Sequence, residues 1–453
     1  MLSSLRSQLS DPDSLISDPT GYESYFHDAT THRAVPAGIL IANQVEDICA
    51  AVRFCRRRGI AVTMRGAGTG LSGGCVAAAG GLVISTERMT SVRIDAPARR
   101  AICEPGVITK QLQDDAARYG LFYPPDPASL AECTLGGNVA EGAGGLRCKR
   151  FGVTKDYVIG LEAVTAESEL LKTGVFNDNR GLSIGDVLIA SEGTLAILTR
   201  IAVRLIPIPP RGITILAAFP HMRNAAQTVT DITTAGIVPT VMEFIDGAAA
   251  EASNRYEKTA GLDQAGAILL LETSGEDAVA QLDAIGTMCR QNKAALIRTE
   301  PDPARAESLW AVRRNVSKAI KAMAAYAVSE DVVVPNSRFP DLVEFVAERN
   351  SASPLIINSF GHAGDGNLHV YYASSDGSEN DRRLIEQEIT LLMRKTLEFG
   401  GTITGEHGVG LAKRDFIRLE FDAPTLGVMR AIKEVLDPSG LLNPDKLFPP
   451  AIV

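Results

Sequence analysis

The chain has no Cys-x-x-Cys pair, no surplus of positive charge and no long apolar run, and each absence closes a class of function. Its seven cysteines (Cys49, Cys55, Cys75, Cys103, Cys133, Cys148 and Cys289) are scattered and odd in number. Iron–sulfur and zinc-knuckle spacings are missing, and a disulfide framework is unexpected in so large a chain. The reading is a reducing compartment. A net charge of −9 and a pI near 5.4 exclude sequence-independent nucleic-acid binding, which needs a basic surface. The one basic run, Arg56-Arg57-Arg58, fits the solvated end of a helix. No stretch approaches the roughly 18 apolar residues of a spanning helix. Asp11, Asp13, Asp18 and Glu23 argue against a secretory signal or an acid-poor transit peptide. A cytoplasmic protein is expected, or one held at the inner face of a membrane through a partner.

What is present suits a globular protein: 45% apolar and 22% charged residues over 453 positions, enough for about two or three domains. Residues 1–33 are polar and predict an arm. Asn43 followed by Glu46 resembles a capping box, and Val45, Ile48, Val52 and Cys55 recur at helical spacing up to Gly59. Strands are expected at 60–64 and 81–85, a helix at 109–119, and short strands with turns through 151–206. The run Ile206-Pro207-Ile208-Pro209-Pro210 predicts a domain boundary. Beyond it, the pattern predicts strands at 213–219, 267–272, 355–360, 367–372 and 401–404. Helices are predicted at 224–235, 276–292, 305–325 and 381–399. This is a separate α+β unit, followed by a last helix and a tail.

Between the first two strands, Arg65-Gly66-Ala67-Gly68-Thr69-Gly70-Leu71-Ser72-Gly73-Gly74 packs five glycines into ten residues. Such a loop can turn successive N–H groups inward as a nest for phosphate oxygens, with Arg65, Thr69 and Ser72 as further donors. A dinucleotide fingerprint needs a helix after the glycines, and here a strand follows. A P-loop needs Gly-Lys-Ser/Thr, which is absent. Further clusters at 136–145 (preceded by Tyr123-Pro124-Pro125-Asp126-Pro127-Ala128-Ser129) and at Ser191-Glu192-Gly193-Thr194-Leu195 suggest backbone pressed against a large flat ligand.

Three of the six histidines lie in two short segments, Gly361-His362-Ala363-Gly364-Asp365-Gly366-Asn367-Leu368-His369 and Gly405-Glu406-His407-Gly408-Val409-Gly410. Two histidines and a glutamate at predicted strand ends are ligands a divalent metal accepts: zinc first, manganese or iron as well. A remaining histidine is free for proton transfer. Arg313 falls on the apolar stripe of helix 305–325 with Leu309, Val316 and Ile320, where an unpaired charge is expensive. It is either a snorkelling arginine or a fork for a substrate carboxylate.

Segments 65–74, 124–129, 133–152 and 191–199 resemble the flavin-binding domain of the vanillyl-alcohol oxidase / p-cresol methylhydroxylase superfamily. Segments 361–369, 405–410 and 443–448 resemble its FAD-linked D-2-hydroxyacid dehydrogenase branch. The similarity runs from about residue 34 to 449. Gly137-Asn138-Val139-Ala140-Glu141 with Gly144-Gly145-Leu146 and Lys149 looks most like the D-lactate- and glycolate-oxidising members. The resemblance implies an α+β fold: a two-subdomain PCMH-type FAD-binding domain (34–210), an α+β substrate or cap domain (211–408), and a C-terminal helical segment (409–453) returning to the flavin domain.

It also implies roles. Arg65, Gly66, Gly68, Thr69, Gly70, Leu71, Ser72 and Gly73 would wrap the FAD pyrophosphate. Pro125, Asp126, Ser129, Gly136, Gly137, Asn138, Gly144 and Gly145 would line the flavin. Glu192, Gly193 and Ile197 would hold the adenine–ribose side, and Asn443 would sit near the isoalloxazine. No histidine lies in these loops, so FAD is expected to be noncovalent. His362, His369 and Glu406 are implied as metal ligands, His407 as the base, and Arg313 with Ser317 as the substrate's carboxylate site. Gly142, Phe151, Ser168 and Ala196 depart mildly from the family pattern. The expected activity is oxidation of a 2-hydroxy acid, with D-lactate or glycolate favoured over dicarboxylates because 329–335 is acidic and lacks a lysine. Electrons would pass to a protein or quinone-linked acceptor, through an iron–sulfur partner subunit in the rival reading, with a homodimer left open. A non-catalytic flavin protein is disfavoured by intact His407 and Arg313. A metal hydrolase leaves the flavin loops unexplained.

Overall fold

The computed structural model describes residues 2–78, 80–177, 183–256 and 265–449. The chain divides into two compact units. One comprises Met1–Gly144, Gly152–Ile208 and Glu406–Val453, the other Gly145–Phe151 and Pro209–Gly405. The proline run marks the crossover at 208/209. Two places differ from the sequence expectation. Glu406 and His407 fold with the first unit, where the amides of Val409 and Leu411 bond to Glu192 and Ser72. Residues 145–151 fold with the second, where Arg150 donates to the Val238 carbonyl at 3.1 Å.

In the first unit, strands Gly38–Ile41, Leu82–Ser85 and Val62–Arg65 pair in parallel in that order, with Leu15–Ile16 antiparallel at the edge. Helix Val45–Arg58 buries Ile48, Val52, Phe54 and Cys55 in a core with Leu40, Val62 and Leu82. Full burial of Ile48 and Phe54 stabilises by roughly 1.5–3 kcal/mol each. Gly59 ends the helix at φ 60°, and Arg56–Arg58 are exposed. The capping box does not form. Gln44 is the N-cap, and it is the Asp47 carboxylate that accepts from the Asn43 amide at 3.2 Å and the Ser10 amide at 2.7 Å. A second, antiparallel sheet runs Val92–Asp95, Arg100–Cys103, Ile197–Arg204, Val158–Val164, Leu170–Lys172. Ser168 adopts φ 65° in the turn there, a conformation that favours glycine, and its hydroxyl donates to the Cys49 carbonyl.

The second unit is a seven-stranded antiparallel sheet. Its spatial order is Leu296–Glu300, Ile213–Phe219, Ala267–Thr273, Val241–Asp246, Ile356–His362, Asn367–Ser374, Tyr326–Val333. Three of these strands, 241–246, 296–300 and 326–333, were not anticipated, and 401–404 contributes only a bridge from Thr402 to Val333. Residue alternation sorts the central strands. Ile245, Phe360 and Tyr371 share one core with Leu309, Val312 and Val316 of helix Pro303–Met323, whereas Phe244 meets Phe339 of helix Phe339–Ala352 edge-on. Glu243, His362 and His369 therefore fall on the face covered by helix Pro303–Met323. Asp302 caps that helix through the Ala304 amide at 3.0 Å.

Candidate active site

The first unit holds an open cleft walled largely by its glycine loops. Its wall includes Arg65, Gly66, Gly68, Thr69, Gly70 and Leu71 from the glycine loop, then Ser129, Gly136, Gly137, Asn138 and Gly144, then Glu192 and Gly193. Glu406 and His407, both half-buried, complete it. At Gly68, φ is 74° and an added Cβ would run into the Arg65 guanidinium, so a side chain there would be strained. Arg65 donates to the carbonyls of His27 (2.7 Å) and Ser24 (2.6 Å) and lies over the Tyr25 ring. Its cation thus shapes the loop, where the sequence reading had given it to phosphate.

Several expected contacts sit behind the wall. Ser72 is fully buried and donates to Glu141 at 3.0 Å, while the Gly73 amide donates to Asp28 at 2.8 Å. Asn443 bridges two wall segments, donating to the carbonyls of Gly74 (2.8 Å) and Glu192 (2.7 Å). Pro125 offers its carbonyl to Gln113, and Asp126 is buried without lining the cleft. Ile197 points into the core, and Ala196 and Leu198 face the cleft instead, as strand alternation requires. Gly145 belongs to the second unit and is not in the wall.

The sequence reading assigned no role to Glu141, Asp28 or Lys446. Glu192 is buried and Glu141 half-buried, and both close on the backbone after His407. A Cβ at Gly408 would lie 2.8 Å from Glu192 Oε1 and 2.9 Å from Glu141 Oε2. Burial, then the neighbouring Glu192, pushes the Glu141 carboxyl well above its ordinary value. Burial pushes Glu192 up to about 7 despite the Val409 and Gly410 amides that stabilise its charge. Lys446, donating to the Val76 carbonyl at 2.8 Å, is brought down by burial to about 8. An acid on the small-residue helix Leu135–Glu141 was the available sign of this cluster.

In the second unit, the register of neighbouring strands sets Glu243 opposite His362 and Phe360 opposite His369. The two imidazoles meet edge to face, centroids 5.2 Å apart. His362 Nδ1 lies 2.6 Å from Glu243 Oε1, which leaves Nε2 as the ligand atom. Arg313 is buried, donates from Nε to Glu243 Oε2 at 2.5 Å, and stacks over Phe360 at 4.7 Å. Ser317, one turn on, is half-buried. Burial alone would raise the Glu243 carboxyl, but His362 and Arg313 hold it below its usual value. Two buried imidazoles, one already oriented by a carboxylate, fit a divalent metal. The third expected ligand, Glu406, belongs to the first unit. Glu243 was missed, although an acid inside the apolar strand Val241–Asp246 signals a partner. Among the described residues, no helix is long and apolar enough to cross a membrane.

The fold is that of p-cresol methylhydroxylase. The solved p-cresol methylhydroxylase superposes with a TM-score of 0.78 at 14% identity, over 97% of this chain and 94% of that one. The 4-ethylphenol oxidase from Gulosibacter chungangensis gives 0.77 at 18%, over 99% and 97%. These likenesses define the fold. Residues 36–174 match the FAD binding domain model and 208–447 that of FAD linked oxidases, C-terminal domain; the chain belongs to this family and is an FAD-linked oxidoreductase. It is 34% identical to the glycolate oxidase subunit GlcD of Bacillus subtilis, over 97% of this chain and 95% of that protein. It is 32% identical to the D-lactate dehydrogenase of Anaerostipes hadrus, over 94% and 92%. Identity is 33% to the D-2-hydroxyglutarate dehydrogenase of Xanthomonas citri pv. viticola, over 96% and 94%.

Proposed function

We propose that this chain oxidises a D-2-hydroxy acid, D-lactate or glycolate foremost, to the 2-oxo acid, with noncovalent FAD in the glycine-nest cleft and a divalent metal on His362, His369 and Glu406. The observation that carries the reading is that Glu406 and His407 line the same cleft as the loops of the FAD-binding domain. When bound, FAD supplies the hydride acceptor and the metal, zinc or else manganese or iron, the Lewis acid that acidifies the substrate hydroxyl. His407 takes the proton from that hydroxyl oxygen, a task suited to an imidazole with an ordinary pKa near 6.5. Arg313 grips the substrate carboxylate, with Ser317 as a neighbouring donor. Electrons leave to a protein or quinone-linked acceptor. The relatives named as glycolate oxidase subunits favour a partner subunit in that step. A D-2-hydroxyglutarate or D-malate specificity is the second reading, favoured by the relative named for the former acid.

Anaerobic mixing of the yellow protein with D- and L-lactate, glycolate, D-malate and D-2-hydroxyglutarate tests the reading. The acid that bleaches the flavin band is the substrate. Chelation should abolish the bleaching and added metal restore it. A protein that no 2-hydroxy acid bleaches would refute the proposal.

A further inference from the structure

We propose that Glu243 is the positioning residue of this centre, a single carboxylate that sets the ring of a metal-ligating histidine and the guanidinium that grips the substrate. The inference rests on the roles given above to His362 and Arg313. It goes further by naming what holds them in one frame.

Glu243 sits in the middle of the sheet with its side chain fully buried. Its strand neighbour is His362, whose Nδ1 lies 2.6 Å from Oε1. Its other oxygen, Oε2, accepts from Nε of Arg313 at 2.5 Å, on a helix remote in sequence. Each oxygen thus serves a different partner on a different element.

Two consequences follow. An ionised carboxylate only accepts, so His362 Nδ1 carries the hydrogen and Nε2 presents its lone pair. With Nε committed, Arg313 keeps its Nη1 and Nη2 donors, the fork that matches a carboxylate. The guanidinium is further fixed over Phe360, which stacks on Tyr371 with centroids 5.4 Å apart. Stability alone gives little reason for this carboxylate. Ile245, Leu270 and Phe360 surround that face of the sheet, and an apolar replacement of a buried ion pair is often neutral or stabilising. Orientation of both functional groups does give a reason.

The test is Glu243→Gln in the full-length, FAD-loaded protein. Glutamine replaces one of the two acceptor oxygens with an NH2 donor, so it cannot give His362 Nδ1–H and Arg313 Nε–H an oxygen each. Metal-stripped protein titrated with Zn²⁺ or Mn²⁺ should bind roughly 10- to 100-fold more weakly in the variant. KM for the hydroxy acid should rise at saturating metal, while flavin content and the resting visible spectrum stay as in the parent. Long-range ¹H–¹⁵N spectra of the stripped parent should report the Nδ1–H tautomer for His362, and the variant should lose it. Parent-like metal affinity and KM in Glu243→Gln would overturn the proposal. If the variant does not fold, the parent spectrum decides: an Nε2–H tautomer at His362 overturns it. A parent that binds no divalent ion, yet shows the Nδ1–H tautomer and a KM sensitive to Glu243→Gln, upholds Glu243 and removes the metal from the proposed function instead.

Discussion

Replacing Glu192 with glutamine should flatten the pH dependence of stability in the FAD-free protein. Glu192 is 5% exposed, and burial raises its carboxyl from an ordinary value near 4.5 to about 7. In the unfolded chain the same group gives up its proton near 4.5. Between these values the folded state binds more protons, so stability falls as pH rises and the loss is complete above about 7. A change from 4.5 to about 7 corresponds to roughly 3 kcal/mol. In a folding unit of this size each kcal/mol moves the melting midpoint by roughly 2–4 °C, so the effect is roughly 6–12 °C. Glutamine keeps an oxygen for the Val409 amide, which now sits 2.7 Å from Glu192 Oε1. It also removes the neighbouring charge that raises Glu141. Thermal melts of FAD-free protein from pH 5 to 8, followed by far-UV circular dichroism, are the assay. The parent should lose its midpoint over this range and E192Q should lose much less, ending higher at pH 8. Parallel profiles would refute the claim that a proton is held at this position.

Other expectations concern the site directly. His407→Ala should keep its flavin colour and slow flavin reduction by every active hydroxy acid, by roughly 10²–10⁴-fold for loss of a general base; unchanged stopped-flow rates would remove His407 from the mechanism. Arg313→Lys should raise KM by roughly 10- to 100-fold, since a charge-assisted hydrogen bond contributes about 1.5–3 kcal/mol, with kcat less affected. An unaltered KM would make Arg313 structural. Gly408→Ala places a Cβ at φ 89° within 3 Å of both Glu192 and Glu141, so it should destabilise the FAD-free protein by about 1–3 kcal/mol, and equal denaturant midpoints would contradict this.

The sequence carried the flavin fold because its glycines are constrained by geometry rather than by chemistry. Gly68 takes φ 74°, where a side chain would be strained. The helices at 45–58 and 303–323 were legible from apolar spacing, the first also from Gly59 at its end. The strand 241–246 was not, because every residue in it is buried and no alternation marks it. Glu141 and Glu243 meet Ser72, His362 and Arg313 far away in the chain, and such pairings leave no local pattern. Ile197 was misplaced for a related reason: a motif gives the segment that meets a ligand, and one step along a strand reverses which side chain does so.

The first unit draws its backbone from three separated stretches of chain, and Leu442 pairs with Val62 while Asn443 ties Gly74 to Glu192. A nascent polypeptide emerging from the ribosome therefore cannot finish this half until almost all of it has been synthesised. The sheet of 209–405 is available for folding earlier. Cofactor capture should consequently be a late event in biogenesis, and lesions near residue 443 should phenocopy defects in the glycine loop nearly four hundred positions upstream.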